Sequence, residues 1–228
     1  MAAKRLTRKQ LLKEPDEFLT LTGRIIEWAR TYPKQLAIGA GVVLGVLVIV
    51  FGYRYINQRR AQAASHLLSK GLATFQQQVD SNGKDKALEA ARPDFDKLIH
   101  DFSGQPAGRL GRVYFGQLLF QAGQFQEAVK ELQRSLSDFG QDPALSNIIL
   151  GSLAEAYLQA GDKTAAMTQF EKIASGSSAL NKDAAMFQLA ILYLEGDQAQ
   201  KGKEMLTKLT EEFPTSMYTE MAREKIAG

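Results

Sequence analysis

The 228-residue chain contains no cysteine. That excludes disulfides, thiolate metal sites and cysteine nucleophiles. Its only histidines, His66 and His100, are too far apart to form a zinc-binding pair, and each reads as a packed side chain. A glycine-rich phosphate loop, a dinucleotide-binding glycine pattern and a nucleophile elbow are all missing. Gly104, Gly108 and Gly111 in SGQPAGRLG read as a flexible linker leading into a helix, the alternative being an anion site at that helix's N-terminus. The acid pairs Asp94/Asp96 and Glu211/Glu212 read as solvated helix faces rather than catalytic dyads. The expectation is a protein that is not an enzyme, with no catalytic residue, cofactor, metal or small-molecule substrate.

Charge is missing from one long stretch. The nineteen residues from Gln35 to Tyr53, QLAIGAGVVLGVLVIVFGY, carry none. As a helix they cover about 28 Å, close to the hydrocarbon thickness of a bilayer. A cleaved signal peptide is the first alternative, since Ala61-Gln62-Ala63 has the spacing of a cleavage site. Against it, 34 residues precede the run, the run is long, and Arg54, Arg59 and Arg60 separate it from the alanines. A buried helix of a soluble protein is rarely apolar on all sides for this length. The run reads as a single uncleaved transmembrane helix, with no ionisable residue inside it to serve ion or proton transport.

The formal charge of +3 conceals an asymmetry: residues 1–34 carry net +4, whereas residues 58–228 carry net −2. The basic excess therefore belongs to the tail and does not indicate nucleic-acid binding. A basic tail is retained in the cytoplasm, which places the long domain across the membrane. Residues 16–32 space Phe18, Leu21, Ile25, Trp28 and Tyr32 like an amphipathic helix that ends at Pro33, lying in the interface or packing on a partner. Lipid contact is expected over residues 16–57. Ala37, Gly41 and Gly45 fall four apart within the span, with Gly52 two turns on, and this spacing permits close packing against another helix. The chain divides into a tail, 1–34, a span and its exit, 35–57, and a repeat domain, 58–228.

The repeat domain copies itself. FDKLIHDF, LQRSLSDF, FEKIASGS and LTKLTEEF begin at 95, 132, 170 and 206, offsets of 37, 38 and 36 residues. A period of this size marks a helical solenoid. Each copy reads as a helix, a turn at Gly123, Gly161 or Gly196, and a second helix, with the third turn one residue shorter. Small residues match across the first helices (Gly116, Ala154, Ala190) and the second helices (Ala128, Ala166, Gly202), where paired helices must approach closely. Leu119, Tyr157 and Tyr193 fill the next turn, and Leu132, Phe170 and Leu206 are buried. A degenerate unit over 58–102 reads as a helix, a polar loop at 80–86 and a second helix interrupted or started by Pro93. Ser216–Ala227 reads as a capping helix. The fold class is all-α: antiparallel helix pairs in a solenoid.

These residues resemble the tetratricopeptide repeat (TPR): Phe115-Gly116, Leu119, Gly123 and Ala128; Leu153-Ala154, Tyr157, Gly161 and Ala166; Leu189-Ala190, Tyr193, Gly202 and Pro214. The first family position, usually Trp, is not Trp here, and the repeats run longer than 34 residues. The resemblance implies a concave groove lined by the first helices, with Val113, Gln117, Phe120, Ile148, Glu155, Leu158, Phe187, Ile191 and Leu194 as groove candidates. The alternative is that several of them only pack between repeats or under the cap. The Lys/Asn clamp that captures acidic C-termini is not evident, so an amphipathic helix or an extended apolar segment suits the groove.

Residues 33–72, with their glycine-rich span and their aromatic and basic exit, are also similar to the YfgM-like ancillary subunits of the SecYEG translocon. That resemblance implies a single-pass inner-membrane protein with a periplasmic TPR domain, whose partners are translocon subunits, chaperones or secreted clients. Rival expectations are a scaffold for outer-membrane or cell-wall assembly and a regulatory subunit of a membrane complex.

Overall fold

The computed structural model describes Gly23, Ile26 and residues 28–227. The tail helix expected over 16–32 falls largely outside these residues. Within it the rings of Trp28 and Tyr32 lie 6.3 Å apart, just ahead of Pro33, the first residue of α1 (Pro33–Asp101). Proline is tolerated there because the first N–H groups of a helix have no internal partner. By internal contacts the chain divides after Gln58.

In the first unit, α1 carries the uncharged stretch. Among the described residues this is the one helix long and apolar enough to cross a membrane; its mean hydropathy reaches 2.5 and none of that stretch is buried. Ile38, Val48, Ile49 and Phe51 are all exposed.

The second unit begins with a hairpin. At Gly83 the backbone takes φ 81° and ψ 166°, breaking the helix between 59–82 and 84–101. Only glycine enters this region without strain. The polar loop expected at 80–86 therefore reduces to this one residue, because helix continues on both sides of it. Pro93 neither starts nor ends the second helix but lies inside it. The hairpin closes tightly: a Cβ on Gly71 would stand 2.9 Å from the Phe95 ring, and Lys70 Nζ reaches Asp94 Oδ1 at 2.8 Å. The Asp94 side chain is thus a largely covered ion-pair partner rather than a solvated acid. His66 and His100 are exposed, not packed.

Three further helix pairs follow: α2 (Pro106–Gln121) with α3 (Phe125–Phe139), α4 (Pro143–Gln159) with α5 (Lys163–Ser175), and α6 (Lys182–Glu195) with α7 (Ala199–Glu212). A last helix, α8 (Thr219–Ala227), follows α7, and no strand occurs among the described residues. Local chemistry sets the helix starts. Pro106 and Pro143 occupy first-turn positions; the Asp142 carboxylate accepts from the N–H groups of Ala144 and Leu145 at 3.0 and 3.1 Å, and Asp162 accepts from Ala165 N–H at 2.9 Å.

The small residues do what their spacing implies. A Cβ on Gly116 would stand 2.7 Å from Leu132 Cγ, and one on Gly202 would stand 2.9 Å from the Ala190 carbonyl oxygen. Ala128, Ala154, Ala166 and Ala190 are fully buried, as are Leu119, Leu132 and Leu206. Gly108 and Gly111 are not linker residues. Both lie inside α2 and are buried, where a Cβ would clash with the Phe102 carbonyl oxygen at 1.9 Å and with Leu98 Cδ2 at 2.4 Å. Their lack of a Cβ lets α2 close onto the hairpin.

The turns differ in a way the spacing concealed. Gly123 and Gly161 are left-handed, with φ 77° and 86°. Gly196 is extended at φ −102°. The third turn is not shorter; three residues separate the helices in all three copies, and its glycine sits one position earlier.

Two cores result. One joins the hairpin, α2 and α3 to Leu153 and Ala156 of α4; the other runs from Leu150 and Ala154 to Ala222 of α8. Leu150 and Leu153 lie on opposite sides of this division, so α4 serves both. In the second core the buried Tyr193 hydroxyl donates to Glu171 Oε1 at 2.6 Å, and burial, reinforced by Glu171, pushes its pKa up to about 12.

Candidate partner-binding groove

The first helices α2 and α4 lie side by side and leave an apolar pocket of about 270 Å³ between them. Leu110, Val113, Tyr114 and Gln117 of α2 line one wall, and Leu145, Ile148 and Ile149 of α4 the other, with Phe139 from the end of α3. About 150 Å³ suffices for a benzene ring, so one or two large apolar side chains fit. The pocket is open rather than part of a core: Leu110, Tyr114 and Leu145 each remain 38% exposed. Gln117 Nε2 donates to Ser152 Oγ at 3.4 Å across the two helices, marking the polar end of the groove.

The nine residues expected to face the groove separate into groups. Val113, Gln117 and Ile148 line this pocket. Phe187 and Leu194 instead line a shallower cavity of about 510 Å³ with Met221, Glu224 and Lys225 of α8. There Phe187 is buried and stacks on Tyr218, with ring centroids 5.1 Å apart, and Leu194 packs against Gly202. The terminal segment thus covers the third repeat's share of the face. Phe120 meets Phe125 edge-on at 5.6 Å, whereas Leu158 and Ile191 are half-buried against the second core. Glu155 lies on the exposed face of α4; the residue as a whole is solvent-accessible, yet surrounding protein desolvates the carboxyl enough to raise its pKa above the ordinary value.

Leu110, Tyr114, Phe139, Leu145 and Ile149 were not among the expected groove residues. Leu110 was legible, since it precedes Val113 by three positions on one helix face. Phe139 was not, because it ends a second helix and only the packing brings it to the rim. In the uncharged stretch, Ala37, Gly41, Gly45 and Gly52 are exposed, and a Cβ on any of the three glycines would meet nothing within 4 Å.

Comparison with known proteins agrees with this geometry. Residues 27–183 match the family described as tetratricopeptide repeat-like domain, and residues 184–216 match the tetratricopeptide repeat. A crystal structure of a tetratricopeptide repeat protein from Parabacteroides merdae is similar at 16% identity and TM-score 0.57, covering 72% of this chain and 59% of that one. Two crystal structures of putative kinesin light chain nearly identical TPR-like repeats from Podospora anserina are similar at 18% and 17% identity, each with TM-score 0.57 and covering 72% of this chain; they are covered over 84% and 85% of their own lengths. The chain thus spans less than two thirds of the Parabacteroides protein. Among curated proteins none matches. At these identities the likeness is one of fold.

Proposed function

Because the chain belongs to the tetratricopeptide repeat-like domain family, we propose that it is a membrane-anchored adaptor that binds protein segments in the groove between α2 and α4. Repeats of this family mediate protein–protein binding. The observation that carries the reading is the open apolar pocket on the face formed by first helices. It offers burial to a partner side chain and no group placed for bond-making chemistry.

Placement is the other half of the proposal. The exposed apolar stretch of α1 spans the membrane, the net +4 of residues 1–34 holds the tail in the cytoplasm, and the repeat domain stands on the far side. The resemblance of residues 33–72 to the YfgM-like translocon subunits supports a position at the exit of the Sec translocon, where the groove holds chaperones or secreted chains. Ala37, Gly41, Gly45 and Gly52 form the face through which the span meets a neighbouring helix.

Photo-crosslinkers placed at Ile148 and at Gly41 in intact membranes test both halves. The expected products are a secreted chain or chaperone from Ile148 and a translocon subunit from Gly41. Recovery of none of these removes the translocon assignment.

A further inference from the structure

The pocket has an electrostatic neighbour. Glu155 lies seven residues beyond Ile148 and three beyond Ser152 on α4, hence on one side of that helix. Ser152 already faces α2 through Gln117. Glu155 makes no ion pair and no side-chain hydrogen bond among the described residues. Most glutamates of the repeat domain are engaged, among them Glu127 with Arg92, Glu131 with Arg134, Glu171 with Tyr193 and Glu195 with Lys163; Glu89, Glu211 and Glu224 also make no ion pair among the described residues, but none of them lies on α4. The other groove candidates on these helices are uncharged: Val113, Gln117 and Phe120 on α2, Ile148 and Leu158 on α4, and Ile191 on α6. An unpaired carboxylate that is partly desolvated lacks favourable company. A cation arriving beside it supplies both charge and hydrogen-bond donors.

We propose that the segment held by this groove is a basic apolar peptide, seating a bulky apolar side chain in the α2–α4 pocket and a lysine or arginine against Glu155. The inference rests on the groove reading given above and adds the partner's chemistry. Seven residues of α4 separate the pocket from the carboxylate by about 10 Å. An extended peptide covers that distance in about three residues, and a helical one in about seven. The recognised pattern is therefore an apolar anchor followed or preceded by a basic residue at one of these spacings.

Full-length protein in detergent is titrated with fluorescent synthetic peptides. Each carries a Leu-Phe anchor and a lysine three or seven residues away; matched controls place glutamine or glutamate at the lysine position. The lysine peptide is expected to bind about fivefold more tightly than the glutamine peptide at low salt. That advantage disappears in Glu155→Gln and at high salt, and Glu155→Lys transfers the preference to the glutamate peptide. A reversed preference is a gain that a misfolded chain cannot produce. Ile148→Asp weakens all three peptides. Equal binding of the three peptides to the native protein, lost in Ile148→Asp, overturns the basic-peptide inference and leaves the groove standing. Absence of binding by every peptide overturns both. If the native chain instead associates with itself in detergent and Ile148→Asp is monomeric, the occupant is a second copy and the inference fails.

Discussion

At the scale of single residues, close approach decides which side chains are tolerated. Gly116 sits where a Cβ would press into Leu132 at 2.7 and 2.9 Å. Gly116→Val is expected to destabilise the repeat domain by about 1–3 kcal/mol, the usual cost of overpacking; urea denaturation measures it, and an unchanged midpoint with an unchanged slope refutes the packing account. Glu155 makes a prediction of opposite sign. Its carboxyl is raised above the ordinary value of 4.5 by burial, so its ionised form disfavours the fold. The penalty is absent below the ordinary value and grows as pH rises through the folded pKa. Glu155→Gln is therefore expected to melt above the native protein at pH 7, with the gap closing near about pH 4. Equal melting temperatures at both pH values contradict that sign. The same substitution removes the proposed contact to a basic partner, so stability and binding should move in opposite directions.

At the scale of elements, turn and cap shape the stack. Gly83 reverses the chain between two helices on one residue at φ 81° and ψ 166°. Gly83→Ala forces a side chain into a region reserved for glycine and is expected to cost about 1–3 kcal/mol, read as a lower thermal midpoint. The polar stretch around it shows why a loop was the natural expectation: SNGKDK has turn composition, but helix geometry tolerates its other residues, and only the glycine must leave the helical region. The terminal helix offers a second test. Tyr218 stacks on Phe187, and Ala222 is fully buried in the second core. Removal of residues 216–228 is expected to lower the melting temperature and increase binding of a hydrophobic dye, because it uncovers Phe187 and its neighbours. Phe187 and Leu194 take the alternative open to the groove candidates, packing under the cap. Their spacing matches groove positions, and nothing in the spacing shows that a later helix covers them.

At the scale of the whole molecule, the proposed function depends on what the repeats hold and where they are held. Replacing residues 1–57 with an unrelated single-pass anchor separates the proposed adaptor from a general envelope scaffold. The proposal expects crosslinks to translocon subunits to disappear while the repeat domain keeps its fold by circular dichroism. Retention of those crosslinks with a foreign span shows that Ala37, Gly41, Gly45 and Gly52 do not recognise the partner, and shifts recognition to the repeats.

Sequence alone was enough for the features governed by local period: the uncharged run, the helix pairs, the matched small residues at 116, 154 and 190 and at 128, 166 and 202, and the final helix. A residue's place in a helical period depends only on its near neighbours, so these survive translation into structure. Tertiary structure decided the rest. It drew Gly108 and Gly111 into a helix, because the approach of Phe102 and Leu98 leaves no volume for a Cβ there. It assigned Val113, Gln117 and Ile148 to an open pocket and Phe187 and Leu194 to the floor beneath α8. These outcomes depend on which surfaces meet, which is set by segments far apart in the chain.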